Sequence, residues 1–210
     1  MNEQRDRAKA DAKAKKSGHT DLTEYRGIVD KSGASKFVGY ENISAEAKLT
    51  GLLVDGKSVK EASAGADIEI TLDRTPFYAE GGGQLADGGK IKLANGAVIE
   101  IEDVQSPVPG LIVHRGRIIS GVVKNGEQAV ADIDLERRLA ISRAHTATHM
   151  VHKAFREALG ETATQAGSEN APGRFRFDFP STSAVPISVL NDVESRVNEL
   201  LISDLQVHSE

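Results

Sequence analysis

The histidine pair in His145-Thr-Ala-Thr-His149 is the first feature of this chain that could do chemistry. The surrounding residues have helical periodicity, and a spacing of four puts both imidazoles on one helix face, one turn apart. Such a pair can bind one metal ion, and zinc takes about four ligands in all. Because the chain has no cysteine, any further ligands would be His, Asp, Glu or water, or would lie outside this chain. Two histidines on a surface helix can have this spacing by chance, without binding a metal. Both interpretations, a metal site and an ordinary surface pair, therefore stay open.

Three other residues lie on or beside the histidine face of this predicted helix. His152 extends the stripe, either as a third ligand or, as we expect, as a solvent-exposed side chain. Thr146 and Thr148 either line a cleft beside the histidine face or pack behind the histidines. The apolar residues of the helix gather on the opposite side, so the histidine face meets solvent, a cleft or a second layer.

A run of three glycines precedes Gln84 in the segment Arg74-Thr-Pro-Phe-Tyr-Ala-Glu-Gly-Gly-Gly-Gln84. Consecutive glycines are entropically costly, so folds use them where the backbone needs a positive φ or approaches a ligand closely. The polar residues Glu80 and Gln84 flank the run. A long flexible hairpin is the other interpretation.

Short alternating strands dominate residues 20–133. Apolar and polar residues alternate within 68–72, 98–104, 111–114 and 129–133, which is the pattern of half-buried strands. Turn sequences such as Asn-Gly separate these segments. Several short strands at regular spacing predict a small barrel or sandwich.

The periodicity becomes helical at Asp134. This residue is suited to the N-cap of the histidine-bearing helix, and Gly160 is suited to the position just after its last turn. A strand over 174–179 follows, with three phenylalanines on one face. Asp178 on the other face is either a base or, as we expect, the ion-pair partner of Arg174 or Arg176. A second amphipathic helix is predicted after Pro186, and residues 205–210 resemble the start of a further strand.

The composition is that of a soluble globular chain of 210 residues with 39% hydrophobic residues and a net charge of −5. The sequence has neither a membrane-spanning apolar run nor a signal peptide, and we expect a cytoplasmic protein. The negative charge argues against non-specific nucleic-acid binding. Arg137, Arg138 and Arg143 could still form a local basic patch that binds RNA. The alternative is that they are ordinary solvated residues at the start of a helix.

Two distant motifs, Thr75-Pro-Phe-Tyr-Ala-Glu-Gly-Gly-Gly-Gln84 and His145-Thr-Ala-Thr-His149, together resemble the editing region of alanyl-tRNA synthetases and their free-standing deacylase relatives. The similarity continues through Gln165-Ala-Gly-Ser168 and the 174–179 strand. The resemblance implies an α+β protein: a small translation-factor-like β-barrel over 20–133, then an editing domain common to threonyl- and alanyl-tRNA synthetases. That domain occupies 134–210 and is expected to be truncated on its C-terminal side. Residues 1–19 are expected to form a charged junction.

The implied activity is hydrolysis of Ser-tRNA(Ala) and Gly-tRNA(Ala). A pocket for alanine discriminates weakly against glycine or serine, since one small group is worth only about 1–3 kcal/mol, so a second, hydrolytic site is needed. The resemblance implies that His145 and His149 hold zinc and that Gln165 faces the substrate. It places Gly82, Gly83, Gln84, Thr146 and Thr148 along the cleft for the tRNA acceptor end.

The family completes its zinc site with a later Cys-x-x-x-His pair, which this chain lacks. We therefore expect the fragment to bind zinc weakly or not at all and to hydrolyse seryl-tRNA poorly. We expect ATP and magnesium to belong only to an aminoacylation domain outside this chain. The expected partners are tRNA(Ala) and the rest of the parent synthetase, with no membrane. Two alternatives remain: a non-catalytic tRNA- or domain-docking module, and a free-standing zinc hydrolase of small molecules.

Overall fold

A computed structural model describes residues 22–206, which fall into two compact units. The first unit runs to Ala79 and resumes over Ala86–Asp134, and the second comprises Glu80–Leu85 and the chain from Leu135 onward. The sequence analysis placed 80–85 within the barrel domain, whereas the structure groups this segment with the second unit. The predicted junction over 1–19 lies outside the described residues.

Within the described residues, the first unit consists of one helix and short strands. They are α1 (Leu22–Ser32), β1 (Lys36–Phe37), β2 (Ser44–Val54), β3 (Lys57–Ser58), β4 (Glu61–Ser63), β5 (Asp67–Leu72), β6 (Arg74–Thr75), β7 (Gly89–Leu93), β8 (Val98–Gln105), β9 (Val113–Ser120), β10 (Val122–Lys124) and β11 (Gln128–Ile133). The second unit contains α2 (Leu135–Leu159), β12 (Gly167–Ala171), β13 (Arg174–Asp178) and α3 (Ile187–Ile202).

Six strands of the first unit form a closed antiparallel barrel in the order β2-β5-β9-β8-β7-β11, and β11 pairs back onto β2. Closure leaves no unpaired barrel edge, which protects a small sheet from aggregation. Inward side chains from every strand fill the interior, including Leu49, Ile70, Ile91, Ile99, Ile118 and Ala131. The prediction of a small β-barrel is therefore confirmed, because these six strands close into a barrel.

The strand predictions for 68–72, 98–104 and 129–133 are confirmed by β5, β8 and β11. The prediction for 111–114 is only partly right, because β9 begins at Val113. Leu111 still lies in the turn region after Gly110 and donates its N–H to the carbonyl of Val108 at 3.2 Å. Its buried side chain packs beside Tyr25 of α1 instead of entering the barrel.

The second unit contains the predicted histidine-bearing helix. Helix α2 ends before Gly160, which has φ +88° and donates its N–H to the carbonyl oxygen of Arg156 at 2.9 Å. This left-handed residue satisfies a terminal carbonyl, as glycine commonly does at this position. The predicted helix after Pro186 is also confirmed, as α3.

The β12–β13 hairpin and the two helices of this unit enclose a small apolar core. Phe155 of α2 stacks on Phe177 with ring centroids 6.2 Å apart, and it packs against Phe179 at 4.8 Å with the ring planes tilted by 39°. Phe175 differs from the other two strand phenylalanines, because 37% of its surface is exposed. Leu205 and Gln206 do not form a strand, and the rest of the segment predicted to start one lies outside the described residues.

Among residues 22–206, no helix combines the length and the apolar character that crossing a bilayer requires.

A fully buried histidine lies in the first unit. His114 donates from Nδ1 to the carbonyl oxygen of Ile70 at 3.2 Å, and its Nε2 accepts from the Thr75 hydroxyl at 2.8 Å. Both bonds are made by the neutral ring. Because burial disfavours the imidazolium cation, the pKa of His114 is lowered to about 4.

This buried ring predicts a loss of barrel stability in acid. Its folded-state pKa of about 4 lies below the unfolded value of about 6.5, so unfolding takes up a proton between these values. The stabilising contribution is complete above pH 6.5 and falls by up to about 1.4 kcal/mol per pH unit on going towards pH 4. Urea unfolding of the first unit at several pH values measures it. His114→Gln should flatten the pH dependence in this window.

Candidate functional site

Residues Gly81–Gln84 form a tight turn rather than a flexible hairpin. The N–H groups of Gly81 and Gln84 each donate to the carbonyl oxygen of the other residue, at 3.1 and 3.0 Å. Gly82 and Gly83, between them, have φ values of +60° and +81°. Positive φ at both central positions is typical of a type I′ turn, which glycine adopts without steric cost.

The chain leaves the first unit after Ala79 and returns to it at Ala86, and hydrogen bonds join the residues on either side of this interruption. The Asp87 N–H donates to the Tyr78 carbonyl at 3.2 Å, and the Tyr78 N–H donates to the Asp87 carboxylate at 2.8 Å. Asp87 is fully buried. The buried carboxylate therefore holds together the two ends of the segment that carries the glycines.

Backbone bonds attach the turn to strand β12. Gly83 accepts from the Asn170 N–H at 2.7 Å, and the Leu85 N–H donates to the Asn170 carbonyl at 3.1 Å. These two bonds flank Gln84, which forms a parallel bridge with Asn170. Gly83 also lies against Ser168, whose Oγ would be only 2.2 Å from a Cβ added at position 83.

Gln84 projects from the turn to the first histidine of the pair. Its Oε1 lies 2.8 Å from Nδ1 of His145, a residue 61 positions further along the chain. An amide oxygen can only accept a hydrogen bond, so Nδ1 of His145 carries the proton in this contact. The two motifs singled out in the sequence therefore meet within the second unit.

The two histidine rings lie face to face. The centroids of His145 and His149 are 5.0 Å apart and the ring planes differ by 20°. The pKa of His145 is below its usual value, because burial disfavours the cation and the neighbouring His149 adds repulsion. His145 thus stays neutral, with a free lone pair, to lower pH than an exposed histidine.

The pair fits one half of a zinc site. Two imidazoles one helical turn apart are suitable ligands, and a hydrogen bond from Nδ1 to a fixed acceptor is the usual arrangement behind a metal-binding histidine. In the described part of the chain, no cluster of three or more His, Cys, Asp or Glu side chains is placed to hold a metal. A zinc site takes about four ligands, so this pair would account for half of one.

Thr148, on the same helix, points into the interior. It is 2% exposed, and its hydroxyl lies 2.6 Å from Oδ1 of Asn170 and 3.0 Å from the carbonyl oxygen of Ala144. This burial favours a structural role over the substrate contact that the sequence analysis expects. Thr146 is half-buried and adjacent to His145.

Gln165 lies on the exposed segment before β12. Its amide Nε2 donates to Oγ of Ser168 at 3.0 Å. Since Ser168 also lies against Gly83, this serine connects Gln165 to the glycine turn. Gln165, Gly83, Gln84 and His145 thus belong to one continuous set of contacts in the second unit.

The expectation that His152 is solvent-exposed is wrong. Its ring packs on Phe177 with centroids 5.2 Å apart, and its Nε2 is buried without a hydrogen-bond partner among the described residues. The apolar core of the second unit extends to this position because Phe177 covers it. Asp178 forms the expected ion pair, with Arg176 at 3.1 Å, whereas Arg174 pairs with Glu169 at 2.5 Å.

Asn170 is the residue of this site that sequence reasoning missed. It is 1% exposed and contacts both the glycine turn and helix α2. A buried asparagine in the middle of a strand is unusual because strands disfavour this residue. The polar residue in that context is the only signal in the sequence that could have indicated it.

Comparison with known proteins identifies the class. The chain belongs to the class II tRNA synthetases, since the family model described as tRNA synthetases class II (A) matches residues 1–137.

Relatives similar to this chain are alanine–tRNA ligases. The chain is 63% identical to the alanine–tRNA ligase of a Nocardioides species and 57% identical to that of Streptomyces avermitilis, in each case over 100% of this chain and 24% of the relative. It is 60% identical to the enzyme of Acidothermus cellulolyticus over 99% of this chain and 23% of the relative. The resemblance to alanyl-tRNA synthetases is confirmed, and the chain spans about a quarter of the length of these relatives.

The two turn glycines provide a matched test of the geometry. Gly82→Ala should cost about 1–2 kcal/mol through its positive φ alone, because a Cβ there meets open space. Gly83→Ala should cost about 1–3 kcal/mol more, because its Cβ would also overlap Ser168. Urea unfolding followed by resonances of the second unit measures both. Equal losses for the two variants would contradict the close packing of Gly83 against Ser168.

Proposed function

We propose that the second unit contributes part of an editing site that hydrolyses Ser-tRNA(Ala) and Gly-tRNA(Ala). The observation that carries the proposal is the 2.8 Å contact between Gln84 of the glycine turn and His145 of the histidine pair. Two motifs that resemble those of one editing family meet in a single place. The high identity to alanine–tRNA ligases supports tRNA(Ala) as the substrate and the remainder of such a ligase as a partner.

The reaction needs modest chemical assistance. Water adds to the aminoacyl ester carbonyl, and the terminal ribose oxygen of the tRNA leaves with a proton, which releases the free amino acid. Because an ester is already activated, orienting the water and stabilising the developing oxyanion supply much of the acceleration. When bound, zinc would polarise the carbonyl or lower the pKa of a bound water.

Each candidate residue has a distinct role in this proposal. His145 and His149 present imidazole nitrogens to the metal. Gln165 binds the seryl hydroxyl or orients the water through its neutral amide, and it lies in reach of Ser168, beside the glycine turn. Gly82 and Gly83 bring bare backbone close to the tRNA 3′ end.

Selection against alanine follows from polar recognition. A site built to hydrogen-bond a serine hydroxyl leaves polar groups unpaired when alanine enters, which penalises the correct product far more than a size difference would. The half-buried Thr146 provides a second hydroxyl for this recognition.

The test compares the 210-residue chain with a longer polypeptide from the same gene that extends past Glu210. We expect the longer protein to hold one zinc and to deacylate Ser-tRNA(Ala), and the 210-residue chain to do both poorly. In the longer protein, Gln165→Ala should lower kcat/KM about 100-fold, as loss of a transition-state hydrogen bond does. Gln128→Ala, at an exposed glutamine of the barrel, is the matched control and should have no effect.

Two outcomes would contradict the proposal. Full activity of the 210-residue chain would show that further zinc ligands are unnecessary. Absence of hydrolysis by both proteins would favour a module that only docks tRNA or a partner domain.

A further inference from the structure

We propose that Gln84 fixes the tautomer of His145, so that Nε2 of this ring is dedicated to a divalent metal, and that Asn170 is the positioning residue that keeps Gln84 in place. The inference deepens the proposed function, on which the role of the metal rests. Its test concerns ring nitrogens and therefore does not depend on any RNA substrate.

The choice of ring nitrogen follows from the donor and acceptor chemistry. A neutral imidazole carries one N–H, and Oε1 of Gln84 can only accept, so Nδ1 of His145 holds the proton. The lone pair is then on Nε2.

Gln84 has little freedom to leave this position. Its own N–H closes the turn onto Gly81, and its two neighbours in sequence, Gly83 and Leu85, are both hydrogen-bonded to the backbone of Asn170. Anchoring on either side fixes the direction in which the Gln84 side chain leaves the backbone.

Asn170 also holds the helix that bears the histidines. Its Oδ1 lies 2.6 Å from the hydroxyl of Thr148, three residues after His145 on the same helix. Asn170 therefore connects through its backbone to the turn and through its side chain to α2. A change at this residue alters the register between the hydrogen-bond acceptor, Gln84, and the donor, His145.

Packing alone does not explain an asparagine at this position. The residue is 1% exposed, and its Nδ2 has no hydrogen-bond partner among the described residues. An unsatisfied buried amide is destabilising, and an apolar residue of similar size would avoid this cost. The contact with Thr148 is what the polar side chain provides in return.

The first experiment determines the tautomer of His145 from the ¹⁵N chemical shifts of its ring, in the full 210-residue chain at about pH 8, where imidazoles are neutral. We expect the Nδ1–H form to dominate. Gln84→Ala should make the Nε2–H form, which free histidine prefers in water, the major species. Gln128→Ala removes an exposed glutamine of the barrel, far in sequence from this set of contacts, and should change nothing. A dominant Nε2–H form in the unmodified chain, or no response to Gln84→Ala, would overturn the proposal.

The second experiment tests the positioning role with two substitutions at Thr148. Thr148→Val keeps the shape but removes the hydroxyl, so it should shift the His145 population towards Nε2–H. Thr148→Ser restores the hydroxyl and should restore the Nδ1–H form, a rescue that loss of packing alone would not produce. Identical tautomer populations in both variants would exclude the role of Asn170. If the valine variant fails to fold, Asn170→Asp retains the acceptor for Thr148 and should keep the Nδ1–H form.

Titration with Zn²⁺ alone identifies the ligand nitrogen. We expect the Nε2 resonance of His145 to respond first and most strongly, with Nδ1 still protonated. A primary response at Nδ1 would contradict the assignment. Because none of these readings involves Ser-tRNA(Ala), the tautomer assignment and the editing function can fail independently.

Discussion

The arrangement of the candidate site depends on one steric constraint, the absence of a side chain at Gly83. The turn needs positive φ at Gly82 and Gly83, and the second of these must also lie directly against Ser168. Only with that close approach can the backbone of residues 83–85 bond to Asn170. The contact between Gln84 and His145 follows from this attachment. A side chain spans only a short distance, so the backbone bonds must first bring together two positions that are 61 residues apart in sequence.

Hydrogen bonds rather than apolar contacts define this site. The turn closes on itself, bonds to β12 through the backbone, and reaches α2 through two side chains, Gln84 and Asn170. The apolar core of the second unit lies elsewhere, around Phe155 and Phe177. Polar networks of this kind specify geometry more sharply than apolar packing, since a small displacement leaves a buried donor or acceptor unpaired. Such geometric control suits the proposed editing site, which would have to orient water at an ester.

The first unit uses a different principle. Its closed barrel hides every strand edge and buries an apolar interior. Even its buried polar residues serve the scaffold: His114 joins Thr75 to the backbone of Ile70, and Asp87 bonds to Tyr78 across the interruption at 80–85.

The sequence by itself determined which segments form strands and which form helices, and it contained the two motifs. Alternation predicted β5, β8 and β11, and the change to helical periodicity at Asp134 together with Gly160 predicted α2, because these signals depend only on neighbouring residues. Tertiary structure decided which polar groups meet. It buried Thr148 and the Nε2 atom of His152, left Phe175 exposed and assigned Asn170 its connecting role. Those outcomes depend on packing between segments far apart in the chain, to which local periodicity is blind.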